Sequence, residues 1–329
     1  MNQPKYIIEK LRGRKEFLQS NVIRFNKNVN DRIGDGLVKH WISECYCLLR
    51  FGCSPDDYFR YEFFKKSNYE RNKFITYRRS KRIIKTYNDP RYIQTLNDKT
   101  EFNRFFHAFI HRDWLDLRNA SEQAFTDFVM QHGEVIMKPL CGGQGKGIFK
   151  LTASELENGL FELEHYKDYI AEEILHQHSR MAALNPTSVN TVRVLTFKGE
   201  IIACALRTGG EKAIVDNLHS KGVCAHIDIE HGIVDALCVN MRLDKYLFHP
   251  VTREKLVGYE LPNWELLKER VQEAAAMVPQ VAYIGWDVCI LDDDIALIEG
   301  NHDPGHDVVQ MIAQTGLYDA IRDLERKEN

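Results

Sequence analysis

A cluster of four glycines directly follows a run of apolar residues. The run at residues 135–140 carries Lys138, and the loop at 142–147 carries Lys146. Glycine lets backbone N–H groups approach a polyphosphate closely, and the two lysines add positive charge. The loop is neither GxxxxGK[ST], because Gly147 follows Lys146, nor GxGxxG. The pattern favours phosphate binding, and a plain glycine-rich hairpin is the alternative.

Two carboxylates and an amide form a second candidate site. Asp287 lies in the run YIGWDVCIL, and Glu299 and Asn301 lie in the run IALIEGN. Strand alternation places Glu299 and Asn301 on one face, and pairing of the two runs brings Asp287 to it. Three oxygen donors suit Mg²⁺. The alternative is a hairpin whose acidic residues face solvent.

A lone arginine interrupts a third apolar run. Arg193 stands between Val192 and Val194, Arg207 ends the following run, and Asn217 lies beyond it. Arginine on one face of such a strand suits a phosphate or carboxylate ligand. A surface arginine on the solvated face of a sheet is the alternative.

The elements that position these residues change type along the chain. Apolar spacing is helical over residues 1–95, with one stripe formed by Leu37, Trp41, Ile42, Cys45, Leu48 and Leu49. A helix begins near Asp98, and short β-rich runs follow at 134–140, 147–151, 168–175, 191–197, 200–207, 222–229, 283–291 and 295–301. Helices are predicted at 264–277 and 308–324. The runs of consecutive strands predict an α+β fold and disfavour a doubly wound sheet.

Composition narrows the class of protein. The chain has 329 residues, 44% of them hydrophobic, which predicts one large or two moderate lobes. It contains no apolar stretch of bilayer length and no apolar signal core, and its eight cysteines are scattered. These features predict a cytoplasmic protein with reduced thiols, and Cys141 is interpreted as a small packing residue.

Charged residues are distributed unevenly along the chain. Residues 1–100 contain 22 Lys and Arg against 11 Asp and Glu, whereas the remainder contains 22 against 36. Basic residues at 65–85 alternate with aromatic ones. This pattern favours the solvated face of a helix over a nucleic-acid surface, and an acidic substrate or membrane-surface phosphates remain the third interpretation. His302 and His306 are interpreted as stabilising a turn.

The ordered set of motifs resembles the sugar-transfer associated ATP-grasp family. The resemblance covers about residues 95–312 and is carried by LNPTSVNTVRVLTF, VDNLHSKG, GWDV and IEGN. It implies two α+β lobes that hold ATP between them, at residues 96–175 and 176–329, after a helical, basic N-terminal region at 1–95. One departure is Lys221-Gly222, where related sequences commonly have a glycine pair, so the turn near the acceptor is expected to differ.

The resemblance also implies roles for individual residues. The expected nucleotide contacts are Lys99 and Lys138 at the phosphates, a closing loop with Gly142, Gly143, Gln144, Gly145 and Lys146, and Glu172, Glu173 and Ile174 at the adenine. The individual roles of the two glutamates stay open. Arg193 is expected to face the transferred phosphate, Arg207 and Asn217 to contact substrate and phosphate, and Asp287, Glu299 and Asn301 to bind Mg²⁺.

The implied activity is that of a ligase that consumes ATP. It joins a carboxylate to an amine through an acyl phosphate, with ATP and Mg²⁺ as cofactors. The family name suggests cell-surface polysaccharide precursors, for example a sugar uronic acid coupled to an amino acid. The alternative is a kinase that phosphorylates a sugar or another hydroxyl with the same apparatus. The sequence leaves the oligomeric state open.

Overall fold

The computed structural model describes residues 27, 36–142, 145–159, 161–210, 222–240 and 242–327. The chain divides into two compact units. Unit 1 comprises Met1–Arg82 and Gln314–Asp319, and unit 2 comprises Ile83–Ala313 and Ala320–Asn329. Within the described ranges, no helix is both long and apolar enough to cross a bilayer.

Unit 1 is helical where it is described. Its helices are α1 (Leu37–Phe51), α2 (Pro55–Arg60), α3 (Asn68–Arg71) and the first part of α4 (Tyr77–Tyr87). Helix α2 begins with a capping box, in which the Ser54 hydroxyl accepts from the Asp57 N–H at 3.1 Å and the Asp57 carboxylate accepts from the Ser54 N–H at 2.9 Å. Tyr58, Phe59, Phe63 and Phe74 form the aromatic core behind it.

The predicted apolar stripe of helix α1 is wrong. The buried side chains are His40, Glu44, Cys47 and Phe51, whereas Ile42 and Leu49 are 67% and 78% exposed. The buried positions also follow helical spacing, and they face the aromatic core formed with helix α2. The position of that core therefore decides which face of the helix is buried, and the periodicity of α1 alone does not reveal it.

Unit 2 contains two antiparallel sheets with helices packed against them. Its strands are β1 (Trp114–Asp116), β2 (Glu134–Pro139), β3 (Phe149–Thr152), β4 (Tyr169–Glu173), β5 (Thr191–Phe197), β6 (Glu200–Thr208), β7 (Val223–Asp228), β8 (Ile233–Val234), β9 (Cys238–Val239), β10 (Lys245–Tyr246), β11 (Tyr283–Ile290) and β12 (Ile295–Asn301). Its helices are the remainder of α4, α5 (Gln94–Asn97), α6 (Lys99–Phe105), α7 (Glu122–His132), α8 (Ala153–Glu157), α9 (Ser179–Leu184), α10 (Trp264–Met277), α11 (His306–Ala313) and the end of α12 (Tyr318–Arg326).

The two sheets differ in size. The small sheet has the order β1-β4-β2-β3, and the large sheet has the order β10-β9-β7-β6-β5-β11-β12, with β8 paired to β7. Helix α7 covers the small sheet through Phe125 and Val129. Helix α10 covers the large sheet through Leu267 and Val271. The predicted α+β fold class is confirmed, because the named strand pairs are antiparallel.

The single C-terminal helix predicted at 308–324 is wrong, because two helices occupy this segment. Helix α11 ends at Ala313 and helix α12 begins at Tyr318. Between them, Gly316 lies so close to Lys73 that a Cβ atom would come within 2.2 Å of the Lys73 carbonyl. The Tyr318 N–H also donates to that carbonyl at 2.8 Å. This close backbone contact requires glycine at position 316, and glycine disfavours the helix interior that the apolar spacing predicts there.

Candidate active site

The large sheet places the predicted arginine and carboxylates in one row. Arg193 of β5 is registered with Asp287 of β11, and Asp287 is registered with Glu299 of β12. Directly opposed residues in antiparallel strands share a face, so the three side chains lie together. A bulge between Asp287 and Val288 leaves Ile298 as the extra residue on β12. Such bulges re-aim side chains at a sheet edge.

Asp287 is held by two arginines. Arg193 donates from Nε to Oδ1 at 2.5 Å and from Nη2 to Oδ2 at 3.0 Å, and Arg207 donates from Nη1 to both oxygens at 2.9 Å. Burial alone would raise the pKa of Asp287, but the charges of Arg193 and Arg207 outweigh it and lower the pKa to about 2. Asp287 is therefore ionised at neutral pH and fixes both guanidinium groups.

Glu299 titrates in the opposite direction. Burial raises the pKa of Glu299, and the neighbouring charge of Asp287 raises it further. Asn301 donates from Nδ2 to Glu299 Oε1 at 3.0 Å, so the three predicted metal ligands are adjacent. Two carboxylates that repel each other, Asp287 buried and Glu299 half-buried, form with the neighbouring amide oxygen a donor set that suits a hard divalent cation. The residues present therefore fit Mg²⁺.

The small sheet carries a second charged group around Glu172. Lys138 of β2 donates to Glu172 Oε2 of β4 at 2.5 Å. Burial would raise the pKa of Glu172, but the charges of Arg112 and Lys138 lower it well below its usual range. Burial lowers the pKa of Lys138, and the Glu172 carboxylate opposes that shift. The lysine expected at the nucleotide is thus a cation with a fixed partner, and its side chain is 14% exposed.

Arg112 is a buried residue that the sequence analysis missed. Its side chain is 2% exposed, and it donates from Nε to Glu172 at 2.9 Å and from Nη1 to the Leu297 carbonyl at 2.8 Å. Arg112 therefore joins the small sheet to β12, two residues before Glu299. No local motif marks it, because these partners lie 60 and 185 residues away in the sequence.

Lys99 and the glycine loop lie next to each other. Asp98 caps helix α6 by accepting from the Thr100 N–H, and Lys99 follows at the first helical position. Lys99 Nζ donates to the Gly142 carbonyl at 3.4 Å. Gly145 and Gly147 adopt φ of 69° and 74°, a conformation that favours glycine. Lys146 is exposed in the same loop, and Gly143 and Gln144 lie outside the described residues.

The two glutamates of β4 point to different partners. Glu172 lies beside Lys138, as described above. Glu173 accepts from the Asp113 N–H at 2.9 Å. Alternation along the strand places its side chain on the same face as Ala171, which packs in the core under helix α7. Ile174 follows the strand and is half-buried.

The remaining predicted residues have mixed outcomes. Arg207 lies against Asp287, whereas Asn217 falls outside the described residues. The interpretation of Cys141 as a packing residue is wrong, because its side chain is exposed in the glycine loop. The His302 carbonyl accepts from Asn88 Nδ2 at 2.9 Å, and the turn-stabilising role of the His302 side chain stays a prediction.

The basic residues at 65–85 have structural contacts. Arg79 donates to the carbonyls of Asn72 and Phe74 at 2.6 and 2.9 Å, and Arg71 donates to the Phe63 carbonyl. Phe74, one of the interleaved aromatic residues, is buried in the core of unit 1. Lys81, Arg82 and Lys85 are exposed basic residues on helix α4.

Several solved structures resemble the chain. The ATP-grasp ligase PsnB, complexed with a phosphomimetic variant of minimal precursor, Mg and ADP, shares 16% identity over 74% of this chain and 61% of its own, with a TM-score of 0.45. A RiPP-associated ATP-grasp ligase from Chryseobacterium gregarium, in complex with ADP and a leader and core peptide, shares 12% identity over 74% and 63%, with a TM-score of 0.48. D-alanine–D-alanine ligase from Bacillus anthracis shares 13% identity over 70% and 69%, with a TM-score of 0.39. The chain thus spans about three fifths of the PsnB chain.

No curated protein matches the sequence. The sequence model of the sugar-transfer associated ATP-grasp family matches residues 78–326. That match covers most of the chain, and it includes both sheets and every described residue of the candidate site. This protein therefore belongs to the sugar-transfer associated ATP-grasp family.

Proposed function

We propose that this protein is an ADP-forming ligase that uses ATP and Mg²⁺ to join a carboxylate to an amine. The observation that carries the proposal is the position of Arg112, which donates to Glu172, the partner of Lys138, at 2.9 Å and to the Leu297 carbonyl, two residues before Glu299, at 2.8 Å. The cations of the small sheet and the carboxylates of the large sheet therefore lie within electrostatic reach of one another. Such a site suits a polyphosphate accompanied by a divalent cation.

Asp287, Glu299 and Asn301 would hold the magnesium ion. All three offer oxygen donors, and a cation would relieve the repulsion between the two carboxylates that raises the pKa of Glu299. When bound, the ion neutralises charge on the phosphate oxygens and makes the terminal phosphorus easier to attack.

The protein side chains would bind and orient the reactants. Lys99 and Lys138 place positive charge at the phosphates, and Glu172 and Arg112 keep Lys138 in position. Arg193 and Arg207 are fixed by Asp287 before substrate arrives, so little reorganisation is needed when negative charge develops near them. The glycine loop would close over the phosphates and exclude water from a reactive intermediate.

The proposed reaction has two steps. A carboxylate oxygen of the substrate attacks the γ-phosphorus of ATP, the bond to the bridging oxygen breaks, and ADP leaves with that electron pair. The amine nitrogen then attacks the acyl carbon, phosphate leaves with the former carboxylate oxygen, and the nitrogen loses a proton. The products are an amide, ADP and phosphate.

The family description supports a proposal for the substrate. We infer a sugar-linked carboxylate, such as a uronic acid, and an amine acceptor in the cytoplasmic assembly of cell-surface polysaccharide precursors. The exposed Lys81, Arg82 and Lys85 would add peripheral contacts to membrane-surface phosphates. Contact with nucleic acid is disfavoured, because Arg71 and Arg79 donate to backbone carbonyls of unit 1 and Phe74 is buried.

The test is ATP consumption with Mg²⁺ against a panel of uronic-acid sugars and amino acids, with ADP and free phosphate quantified separately by ³¹P NMR. A ligase produces the two in equal amounts, and only when both substrates are present. ADP without free phosphate, accompanied by a phosphorylated sugar, would instead identify the kinase alternative. An absence of substrate-dependent ADP across the panel would count against the proposed substrates.

A further inference from the structure

Three potential metal ligands meet at one end of the small sheet, apart from the candidate magnesium site. Asp113 directly precedes β1, Glu173 ends β4, and His132 ends helix α7. One ligand atom from each of the three lies within 4.8 Å of the other two. His132 Nε2 is 3.5 Å from Asp113 Oδ2, and His132 Nδ1 is 3.9 Å from Glu173 Oε1. We call this group the Asp113–His132–Glu173 cluster.

Two members of the cluster, Glu173 and His132, are held in place by their surroundings. The Asp113 N–H donates to Glu173 Oε2 at 2.9 Å, and the Glu173 N–H donates to the Asp113 carbonyl at 2.9 Å. The ring of Phe128 packs on the His132 imidazole with centroids 4.7 Å apart. Glu173 and His132, fixed by these contacts, lose little freedom when they bind an ion, whereas the Asp113 side chain is 64% exposed.

The His132 imidazole is buried with unmet bonding capacity. Its side chain is 10% exposed, and within the described part of the chain its Nε2 atom has no hydrogen-bond partner. A buried polar atom without a partner is costly. Two ligand atoms of a tetrahedral zinc ion are separated by about 3.4 Å, given zinc–ligand bonds of about 2.0–2.1 Å. The 3.5 Å between Nε2 and Asp113 Oδ2 matches that separation.

The charges of the cluster also call for a cation. Among the residues that the structure describes, neither Asp113 nor Glu173 forms an ion pair with a lysine or arginine; the ion-pair partner of each is His132. A cavity of about 420 Å³ lies beside the two carboxylates and is also lined by His107 and His111. It leaves room for water to complete the coordination of an ion.

We infer that the Asp113–His132–Glu173 cluster binds one divalent transition-metal ion, for which Zn²⁺ has the matching preference for nitrogen and oxygen ligands. The imidazole distinguishes this site from the oxygen-only donors around Asp287. The ion would tie the ends of β4 and helix α7 to the segment before β1. It would stabilise the small sheet and take no part in the transfer of phosphate.

The test is binding of Zn²⁺ and Co²⁺ to the purified full-length protein in millimolar Mg²⁺, which occupies oxygen-donor sites. Equilibrium dialysis with elemental analysis gives the stoichiometry, and the visible absorption of Co²⁺ reports a nitrogen-containing site of low coordination number. We expect one ion per chain and a higher Tm with Zn²⁺. The variants His132→Gln and Asp113→Asn should each weaken binding by more than the roughly 10- to 100-fold loss typical of residues that only support a ligand.

The matched control is His165→Gln, which removes an exposed histidine that lies 3.4 Å from Glu162. It should bind Zn²⁺ as the wild type does. Circular dichroism confirms folding, and Asp113→Asn covers the case in which loss of the buried His132 impairs it. Absence of Zn²⁺ binding by the wild type, or undiminished binding by a folded Asp113→Asn or His132→Gln variant, would refute the site. Since no readout involves ATP, this outcome is independent of the proposed ligase activity.

Discussion

At the scale of single residues, two neighbouring carboxylates have opposite acid–base behaviour. Asp287 contacts Arg193 and Arg207 directly, which lowers its pKa to about 2. Glu299 is half-buried beside Asp287; burial raises its pKa, and the charge of Asp287 raises it further. The sequence predicts that the two carboxylates share a face, because register follows from strand alternation. It does not predict this difference, because the arginines that cause it reach Asp287 from strands 80 and 94 residues away.

Replacement of Glu299 tests this electrostatic difference. A carboxyl group whose pKa is raised by folding binds more protons in the folded state than in the unfolded state. Its contribution to stability therefore falls as the pH rises from its pKa in the unfolded state through its pKa in the folded state. Glu299→Gln should therefore raise the Tm of the metal-free protein at pH 8, by about 2–4 °C for each kcal/mol of repulsion removed. The gain should vanish near pH 4. Thermal scans from pH 4 to 8 measure it.

Two controls accompany the Glu299 variant. Glu265→Gln alters a side chain that is 80% exposed and should leave the pH profile unchanged. Addition of Mg²⁺ should raise the Tm of the wild type and not that of Glu299→Gln. A variant less stable than the wild type at pH 8 without Mg²⁺ would contradict the assigned repulsion.

Lys138 offers a second test at the residue scale. Lys138→Met retains the length of the side chain and removes its charge, while Glu172 keeps Arg112 and Asn103 as partners. Loss of one charged hydrogen bond to phosphate should weaken ATP binding by about 10- to 100-fold with the fold retained. Isothermal titration calorimetry measures this change. Lys150→Met, on the adjacent β3 in an ion pair with Glu134, should bind ATP normally.

For the helices and strands, local sequence patterns predicted most strands. They gave wrong predictions where contacts with distant residues determine which face of a helix is buried or where a helix ends. The runs 191–197 and 295–301 coincide with β5 and β12, and helix α10 coincides with 264–277. The buried face of α1 was wrong, because the aromatic core around Tyr58 determines it. The continuous C-terminal helix was wrong, because Gly316 must fit against Lys73. The bulge at Ile298 follows from the register of a completed sheet, which no local pattern reveals.

Arg112 links two elements and provides a test at this scale. Among the described residues, Arg112→Met would leave the buried Glu172 with Lys138 as its one remaining cationic partner, and removal of one partner of a buried ion pair costs about 3–5 kcal/mol. Urea denaturation should show that loss. Arg112→Lys should recover part of it. Arg104→Met, which removes an arginine that is 55% exposed, should change stability by less than about 1 kcal/mol. Equal stabilities of Arg112→Met and the wild type would contradict the role of Arg112 as a link.

At the scale of the whole molecule, the family match and the division into units cover different stretches of the chain. The family match begins at residue 78, unit 1 ends its first segment at Arg82, and the domain boundary at residue 95 stays a prediction. Sequence motifs predicted the family because its charged residues recur in a fixed order. They do not predict the substrate. Asn217, one of the residues expected to contact it, lies outside the described residues.

The basic positions on helix α4 give a prediction at this scale. The triple variant Lys81→Glu, Arg82→Glu and Lys85→Glu should reduce co-sedimentation with phosphatidylglycerol vesicles at low salt, because surface cations contribute about 1 kcal/mol each near an anionic bilayer. The reduction should disappear at high salt. Binding unaffected by the triple variant would assign these residues to a solvated helix face.

We propose that ATP activates a carboxylate by phosphorylation. The most direct test supplies the carboxylate substrate with ¹⁸O in its carboxyl group and follows the label by ³¹P NMR. The proposed mechanism predicts one ¹⁸O atom in each phosphate released, in step with ADP, and a strong reduction of both in Asp287→Asn. Released phosphate without ¹⁸O, or phosphate retained on a sugar hydroxyl, would contradict it.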